Sequence, residues 1–210
     1  MLREVAALTP GPYLHLGTDE THATPEEGRL AFIDRVLPMV AGHGKAAIGW
    51  HEILRSPGLP VTTVAQYRGR ESSDPLMAAA VARGGKVLLS PAHKVYLDMK
   101  YDVSTPIGYT WAGCIDVADI YDWDPGTYLH GVPEAAVLGV EAPLWSETLT
   151  SYADVEYMAF PRLAALAEVA WSPWSTHDRP GFAARLAAHG PRWEADGVDY
   201  CRSPQIAWPS

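Results

Sequence analysis

The fold is decided by the segment Tyr13–His22, which reads YLHLGTDETH. Its first four residues, Tyr13–Leu16, predict a short buried strand, and Gly17 ends that strand. The carboxylates of Asp19 and Glu20 then follow at the C-terminal end, which is the edge where parallel α/β sheets and barrels bind ligands. Adjacent carboxylates repel each other, so one tends to keep its proton while the other stays ionised. This pair therefore indicates a catalytic edge.

A protonated and an ionised carboxyl group side by side suit glycoside hydrolysis, which needs one acid for the leaving oxygen and one stabiliser of positive charge. Two other interpretations stay open. The pair also fits a helix N-cap followed by an acidic first turn. A metal site built from His15, Asp19, Glu20 and His22 has suitable ligand types, but the spacing is not that of a helical H-E-x-x-H.

Composition narrows the range of partners. The chain has 210 residues, of which 48% are hydrophobic and 20% charged, as expected for one globular domain. A net charge of -9 without a Lys/Arg run argues against nucleic acid, and no apolar stretch reaches membrane-spanning length. Cys114 and Cys201 could pair, but two cysteines make no disulfide framework. Eight Trp and ten Tyr against three Phe favour flat amphipathic surfaces of the kind that stack on sugars, although any single Trp could be core.

Apolar runs alternate with helical patterns along the chain, which predicts a parallel sheet and an α/β fold. The segment from Tyr101 to Pro133 lacks this pattern and is predicted to be a long loop on the active face. Strands are predicted at Tyr13–Leu16, Ala46–Trp50, Thr63–Gln66, Val87–Leu89 and Val137–Val140. Helices are predicted at Glu26–Ala41, Asp74–Arg83, Tyr152–Trp171 and Gly181–Ala195.

Polar and aromatic residues recur where all five predicted strands end. Such a series predicts a ring of βα loops around one pocket, as in a (β/α)8 barrel. A complete barrel takes about 250 residues and eight strands, so five strands predict an incomplete one. The polar ends are Asp19-Glu20, Trp50-His51-Glu52, Gln66-Tyr67-Arg68, Ser90 to Asp98, and Glu141 to Glu147.

Four motifs in this series resemble a known family. The segment His15–Glu20 resembles the His-x-Gly-Gly-Asp-Glu signature of the family 20 glycoside hydrolases, the β-N-acetylhexosaminidases. Ile48–Leu54, Val95–Asp98 and Leu144–Glu147 resemble three further motifs of that family, in the same order along the chain. The resemblance extends from about Tyr13 to Tyr200.

The resemblance implies a TIM (β/α)8-barrel type of fold, with residues 1–210 as the C-terminal portion of a catalytic barrel, about strands 4–8. The N-terminal strands and a small N-terminal domain are then expected to be absent. Association with a partner that supplies the missing barrel half, or self-association, is expected to cover the exposed sheet edges. Family members are often secreted or lysosomal, so the resemblance does not assign this chain to one compartment.

The resemblance also implies roles for site residues, without a metal or cofactor. Glu20 would be the general acid and then the base for water, and Asp19 would hold the acetamido N–H of the substrate. Tyr96 would align the acetamido oxygen, which attacks the anomeric carbon in place of an enzyme nucleophile.

Five further residues would bind the sugar. They are Trp50 and Trp145 as walls of the acetamido pocket, Trp111 as a stacking surface, and Asp98 and Glu147 as partners of hydroxyl groups. The Trp residues could instead be core, and the two acids solvated loop residues.

Two residues depart from the family pattern. Thr18 replaces a Gly, which matters if that position needs a positive φ. Arg68 stands where a Trp wall is usual, so it either alters the acetamido pocket or turns outward. Two other functions stay open: a non-catalytic sugar-binding remnant, and a metal-assisted hydrolase using His15, Asp19 and His22.

Overall fold

The computed structural model describes residues 1–19 and 23–209, so Glu20 and His22 lie outside the described residues. The chain divides into two units. The first unit comprises Met1–Leu89 and Leu129–Gly139, and the second comprises Ser90–Tyr128 and the chain from Val140 onward.

Five strands form one sheet, almost wholly within the first unit: β1 (Tyr13–His15), β2 (Ala46–Trp50), β3 (Val64–Tyr67), β4 (Lys86–Leu89) and β5 (Val137–Val140). The strands lie in sequential order, and β1–β2, β2–β3 and β3–β4 pair in parallel. A doubly wound sheet reverses its strand order part-way, whereas a (β/α)8 barrel does not. The sheet therefore has barrel order, and the prediction of an α/β fold is confirmed.

Helices of the described chain are α1 (Leu2–Leu8), α2 (Glu26–Ala41), α3 (Pro75–Ala82), α4 (Ala92–Val95), α5 (Val117–Tyr121), α6 (Tyr152–Ala159), α7 (Arg162–Trp171), α8 (Arg179–Ala187) and α9 (Gly190–Asp196). Short 3-10 turns cover His51–Arg55, Glu134–Ala136 and Trp174–Thr176. One face of α2 is buried through Ile33, Val36, Leu37 and Val40. All four residues of β3 are buried, as expected for a parallel strand covered on both faces.

Two predicted helices are wrong in length because each contains a proline. Tyr152–Trp171 is two helices, α6 and α7, since Pro161 has no N–H and Phe160 before it is extended. Gly181–Ala195 is likewise divided into α8 and α9, with Pro191 in the first turn of α9. In both places the proline opens the following helix, which is its favoured position.

The segment from Tyr101 to Pro133 is only partly the open loop that the sequence predicts. It contains α5, which begins with a capping box between Asp116 and Asp119. It also buries Ile115, Ile120 and Trp123, so it supplies core to the second unit.

Cys114 is exposed, Cys201 is buried, and both are free thiols. None of the helices in the described part of the chain has the length and apolar character needed to cross a membrane.

Candidate active site

In the first unit, the turn after β1 is fastened to the end of β2. The Leu16 N–H donates to the Ile48 carbonyl at 2.8 Å, and the Trp50 N–H donates to the Gly17 carbonyl at 2.8 Å. These bonds continue the parallel ladder past the end of β1. They place half-buried Asp19 directly after a fixed backbone turn.

Thr18 adopts a left-handed backbone conformation. Its φ is +74°, next to Gly17 at +72°, and it is the one non-glycine with positive φ in the described residues. Its hydroxyl donates to the Trp50 carbonyl at 3.4 Å, and a Cβ at Gly49 would lie 2.6 Å from that hydroxyl. The position therefore does require the conformation that a β-branched residue tolerates poorly.

His15 is held from both ring nitrogens. Its Nδ1 accepts from the Gly17 N–H at 3.0 Å, and its Nε2 lies 2.8 Å from Oε1 of the fully buried Gln66. Because Nδ1 accepts, the Nε2–H donates to Gln66, which fixes one neutral tautomer. Both nitrogens are thus engaged in orienting the strand end.

Arg68 lies against Trp50 and does not turn outward. Its guanidinium carbon is 5.7 Å from the Trp50 ring centroid, and its Nη2 is 2.7 Å from Glu52 Oε1. Trp50 itself is only 5% exposed, at the end of β2. A charged, paired guanidinium therefore borders the Trp50 ring, and an effect of Arg68 on an acetamido pocket stays a prediction.

In the second unit, three aromatic residues come together. Tyr96 follows α4 and is 2% exposed. The Trp111 ring meets it edge-on at 5.7 Å and 88°, and the Trp145 ring lies 6.4 Å away at 51°. Trp111 is 54% exposed and Trp145 is 37% exposed, so both present aromatic surface to solvent beside a buried tyrosine. Such faces suit the C–H side of a sugar ring.

Asp98 is a buried acid two residues after Tyr96. Burial raises the pKa of Asp98 to about 6, and the nearby Glu147 carboxylate raises it too, while backbone N–H groups of Asp98 and Trp145 and the charge of Arg162 lower it. Its Oδ1 is buried and has no hydrogen-bond partner among the described residues. A hydroxyl group from a ligand would satisfy this oxygen. Glu147 is exposed.

The backbone around Asp98 is held from two loops. The Leu97 N–H donates to the Pro143 carbonyl at 2.8 Å, and the Tyr109 N–H donates to the Asp98 carbonyl at 2.9 Å. A Cβ at Gly108, whose φ is +92°, would lie 2.6 Å from the Asp98 carbonyl oxygen, so only glycine allows this approach.

The described residues thus bring together the predicted site residues of each unit separately. The first unit joins Asp19 and Trp50 through the β1–β2 ladder, and the second assembles Tyr96, Asp98, Trp111, Trp145 and Glu147 on neighbouring loops. Sequence reasoning missed Gln66 as the partner of His15. A glutamine inside an otherwise apolar buried strand was the available signal, because such a side chain needs a partner.

Comparison with known proteins identifies the family. The model for the catalytic domain of glycosyl hydrolase family 20 matches residues 22–174. The chain belongs to glycosyl hydrolase family 20. It is 42% identical over 206 residues to the β-N-acetylhexosaminidase of Cellulomonas fimi, covering 98% of this chain and 41% of that protein. The family assignment made from the four motifs is confirmed.

Solved family 20 structures share the fold. The β-N-acetylhexosaminidase of Streptomyces coelicolor A3(2) matches with a TM-score of 0.93 and 48% identity, over 99% of this chain and 43% of that one. A mutant Streptomyces plicatus β-hexosaminidase in complex with the product GlcNAc matches with a TM-score of 0.90 and 49% identity, over 99% and 42%. The chain therefore spans about two fifths of the length of these relatives, and its five strands correspond to part of their barrel. The predicted incomplete barrel type is confirmed.

Replacing Thr18 by glycine is expected to stabilise the first unit. Relief of the strained φ should raise the free energy of unfolding by up to about 2 kcal/mol, and the greater entropy of glycine in the unfolded state should cancel part of this increase. We therefore expect urea unfolding to show a net increase of about 1 kcal/mol. The matched control is Gly44→Ala, because Gly44 has φ +72° and an open site around its Cβ. Gly44→Ala should lose about 1–2 kcal/mol. A destabilised Thr18→Gly would show that the hydroxyl bond to Trp50 outweighs the strain.

Replacing Asp98 by asparagine is expected to change how stability depends on pH. The folded Asp98 keeps its proton up to about pH 6, whereas the unfolded group loses it near the ordinary value of 3.8. The unfolded state therefore binds fewer protons between these values, and this group lowers the free energy of unfolding as pH rises from 4 to 6. The free energy of unfolding of Asp98→Asn, measured in urea relative to wild type, should therefore rise by about 2–3 kcal/mol from pH 4 to pH 7.

The control for this measurement is Asp102→Asn. Hydrogen bonds from Ser104 hold the pKa of Asp102 below its ordinary value, so its contribution to stability is present above that value and is lost as pH falls. Because that loss occurs at and below the ordinary value of 3.8, Asp102→Asn should run nearly parallel to wild type from pH 5 to pH 7, where only Asp98→Asn diverges. Parallel curves for all three proteins from pH 4 to pH 7 would refute the burial of an ionisable Asp98.

Proposed function

We propose that this chain carries the catalytic residues of a retaining, substrate-assisted exo-hydrolase that removes terminal β-linked N-acetylhexosamine, GlcNAc or GalNAc, from oligosaccharides or glycoconjugates. The observation that carries the proposal is the second unit's cluster of Tyr96, Trp111 and Trp145 beside buried Asp98. A buried phenol, two partly exposed indole rings and a buried carboxylate oxygen without a described partner suit an amphipathic sugar ring.

In the proposed reaction the acetamido oxygen of the substrate attacks the anomeric carbon, and the bond to the leaving oxygen breaks. Glu20 donates its proton to that oxygen, and Asp19 accepts a hydrogen bond from the acetamido N–H as positive charge develops. Tyr96 donates to the acetamido oxygen and aligns it for attack. Water then adds at the anomeric carbon and gives a proton to Glu20, and the product keeps the β configuration.

Binding of the sugar is assigned to the remaining residues. Trp111 and Trp145 would stack on the ring and its acetamido group, since both side chains are exposed. Trp50 would form a further wall, with the Arg68 guanidinium at its face. Asp98 and Glu147 would accept hydrogen bonds from hydroxyl groups, which they do best when ionised.

The proposal is tested by hydrolysis of 4-nitrophenyl β-N-acetylglucosaminide. The chain is assayed alone and also as a hybrid in which it replaces the 206 matching residues of the Cellulomonas fimi enzyme, because the chain spans 41% of that relative. Glu20→Gln should lower kcat by about 10²–10⁴-fold, since it removes the transferable proton.

The control is Glu27→Gln, an exposed acid in the first turn of α2 that should leave the rate unchanged. If the hybrid hydrolyses the substrate equally well with and without Glu20→Gln, Glu20 is not the general acid. Loss of the rate on chelation would favour the metal-assisted alternative. If the chain alone and the hybrid both bind GlcNAc but neither hydrolyses the substrate, a sugar-binding remnant would be favoured.

A second substrate separates assistance by the acetamido group from ordinary two-carboxylate catalysis. 4-Nitrophenyl β-glucoside lacks the attacking oxygen, so it should not be cleaved measurably. Tyr96→Phe should lower kcat on the acetamido substrate by about a hundredfold, because the attacking oxygen loses its alignment. Comparable rates on the two substrates would contradict the mechanism, and a Tyr96→Phe variant with normal kcat would contradict the role of its hydroxyl.

A further inference from the structure

We propose that Arg162 is a positioning residue for sugar binding: its guanidinium holds the backbone on both sides of Asp98 and so fixes where that carboxylate stands. This inference rests on the proposed function, because that function assigns Asp98 to bind a sugar hydroxyl. The contacts that carry it all lie within the second unit.

All five N–H groups of Arg162 donate to backbone carbonyls. Nε donates to Met158, Nη1 to Met99 at 2.7 Å and to Ile115 at 2.9 Å, and Nη2 to Leu97 and to Met158 at 2.6 Å. Arginine is the one side chain with five donors in a fixed plane, whereas lysine has three. One side chain at the start of α7 thus ties together three separate stretches of backbone.

The charge of Arg162 is buried without a described carboxylate in direct contact, although Asp116 and Asp98 interact with it at longer range. The residue is fully buried, and no carboxylate of residues 1–19 or 23–209 lies within ion-pair distance of it. Carbonyl dipoles and the ring of Tyr101, whose centroid is 3.8 Å from the guanidinium carbon, take the place of water and of an anion. Because an unpaired donor here would be costly, the four carbonyls that accept these five bonds are held firmly in place.

Asp98 is fixed by this arrangement through three consecutive carbonyls. Those of Leu97 and Met99 are bound by Arg162, and that of Asp98 accepts from the Tyr109 N–H. The Met99 N–H in turn donates to the carbonyl of Tyr96 at 3.2 Å, which extends the constraint to the proposed aligning residue. A displacement of about 1 Å in such a group is enough to cost a large factor in binding or rate.

The test compares Arg162→Lys and Arg162→Met with a matched control, Met158→Leu. Met158 is fully buried and its carbonyl accepts from Nε and Nη2 of Arg162, and leucine keeps both the side-chain volume and that carbonyl. Two readouts on the chain itself need no turnover. One is the carboxyl titration of Asp98 followed by ¹³C NMR. The other is hydrogen exchange of the Tyr109 amide, which donates to Asp98, and of the Lys100 amide, which donates to the Tyr109 carbonyl at 2.8 Å. A third readout is KM and kcat in the active hybrid.

Arg162→Met should raise the pKa of Asp98, because a nearby positive charge is removed, and should speed exchange of both amides. Arg162→Lys should keep the titration nearer to wild type while still speeding exchange. In the hybrid both variants should raise KM by about tenfold with a smaller change in kcat. In an Asp98→Asn background the same substitutions should add little to KM, since the group they position is already lost.

Unchanged titration and exchange in folded Arg162 variants would overturn the inference, and so would equal effects from Met158→Leu. Failure of both Arg162 variants to fold would assign the residue to the fold as a whole and would also overturn it. An inactive hybrid with the predicted changes in titration and exchange would leave the positioning of Asp98 intact and count against the proposed function alone.

Discussion

The constraint on which the first unit depends is that parallel strands in sequential order end at one edge of a sheet. Pairing of β1 with β2 and of β2 with β3 brings the residues after β1 beside the last residues of β2 and β3. The Gly17–Trp50 hydrogen bond and the His15–Gln66 contact are direct results of that register. Asp19 owes its place to backbone geometry, and the strained Thr18 shows that the turn is held by its neighbours and not by its own preference.

In the second unit, the site residues are positioned by contacts other than strand pairing. Its site residues stand on loops, where no ladder repeats, and the loops are joined by single contacts between residues far apart in the chain. Arg162 reaches carbonyls of residues 47 to 65 positions away, and Gly108 allows the loop that carries Trp111 to approach Asp98 closely. A buried cation with its donors fully used gives these loops the precision that strands have by pairing.

Local patterns in the sequence were enough for the strands and for the family. The bounds of β2 and β5 were predicted as they stand, and the four motifs identified the family because they recur in order. Helix ends failed at Pro161 and Pro191, because the apolar period continues through a proline that opens the next helix. The conformation of Thr18, the stacking of Arg68 on Trp50 and the five bonds of Arg162 depend on tertiary contacts, which no window of sequence contains.

The burial of Arg162 also decides how the second unit responds to ionic strength. Dissolved ions weaken charge interactions that they can surround, such as the exposed pair of Arg202 and Glu194 at 3.0 Å. They cannot approach a guanidinium that is enclosed by carbonyl groups and a tyrosine ring. The loops around Asp98 are thus held by hydrogen bonds from a charged group that dissolved salt does not screen. These bonds should be equally strong at high and at low ionic strength.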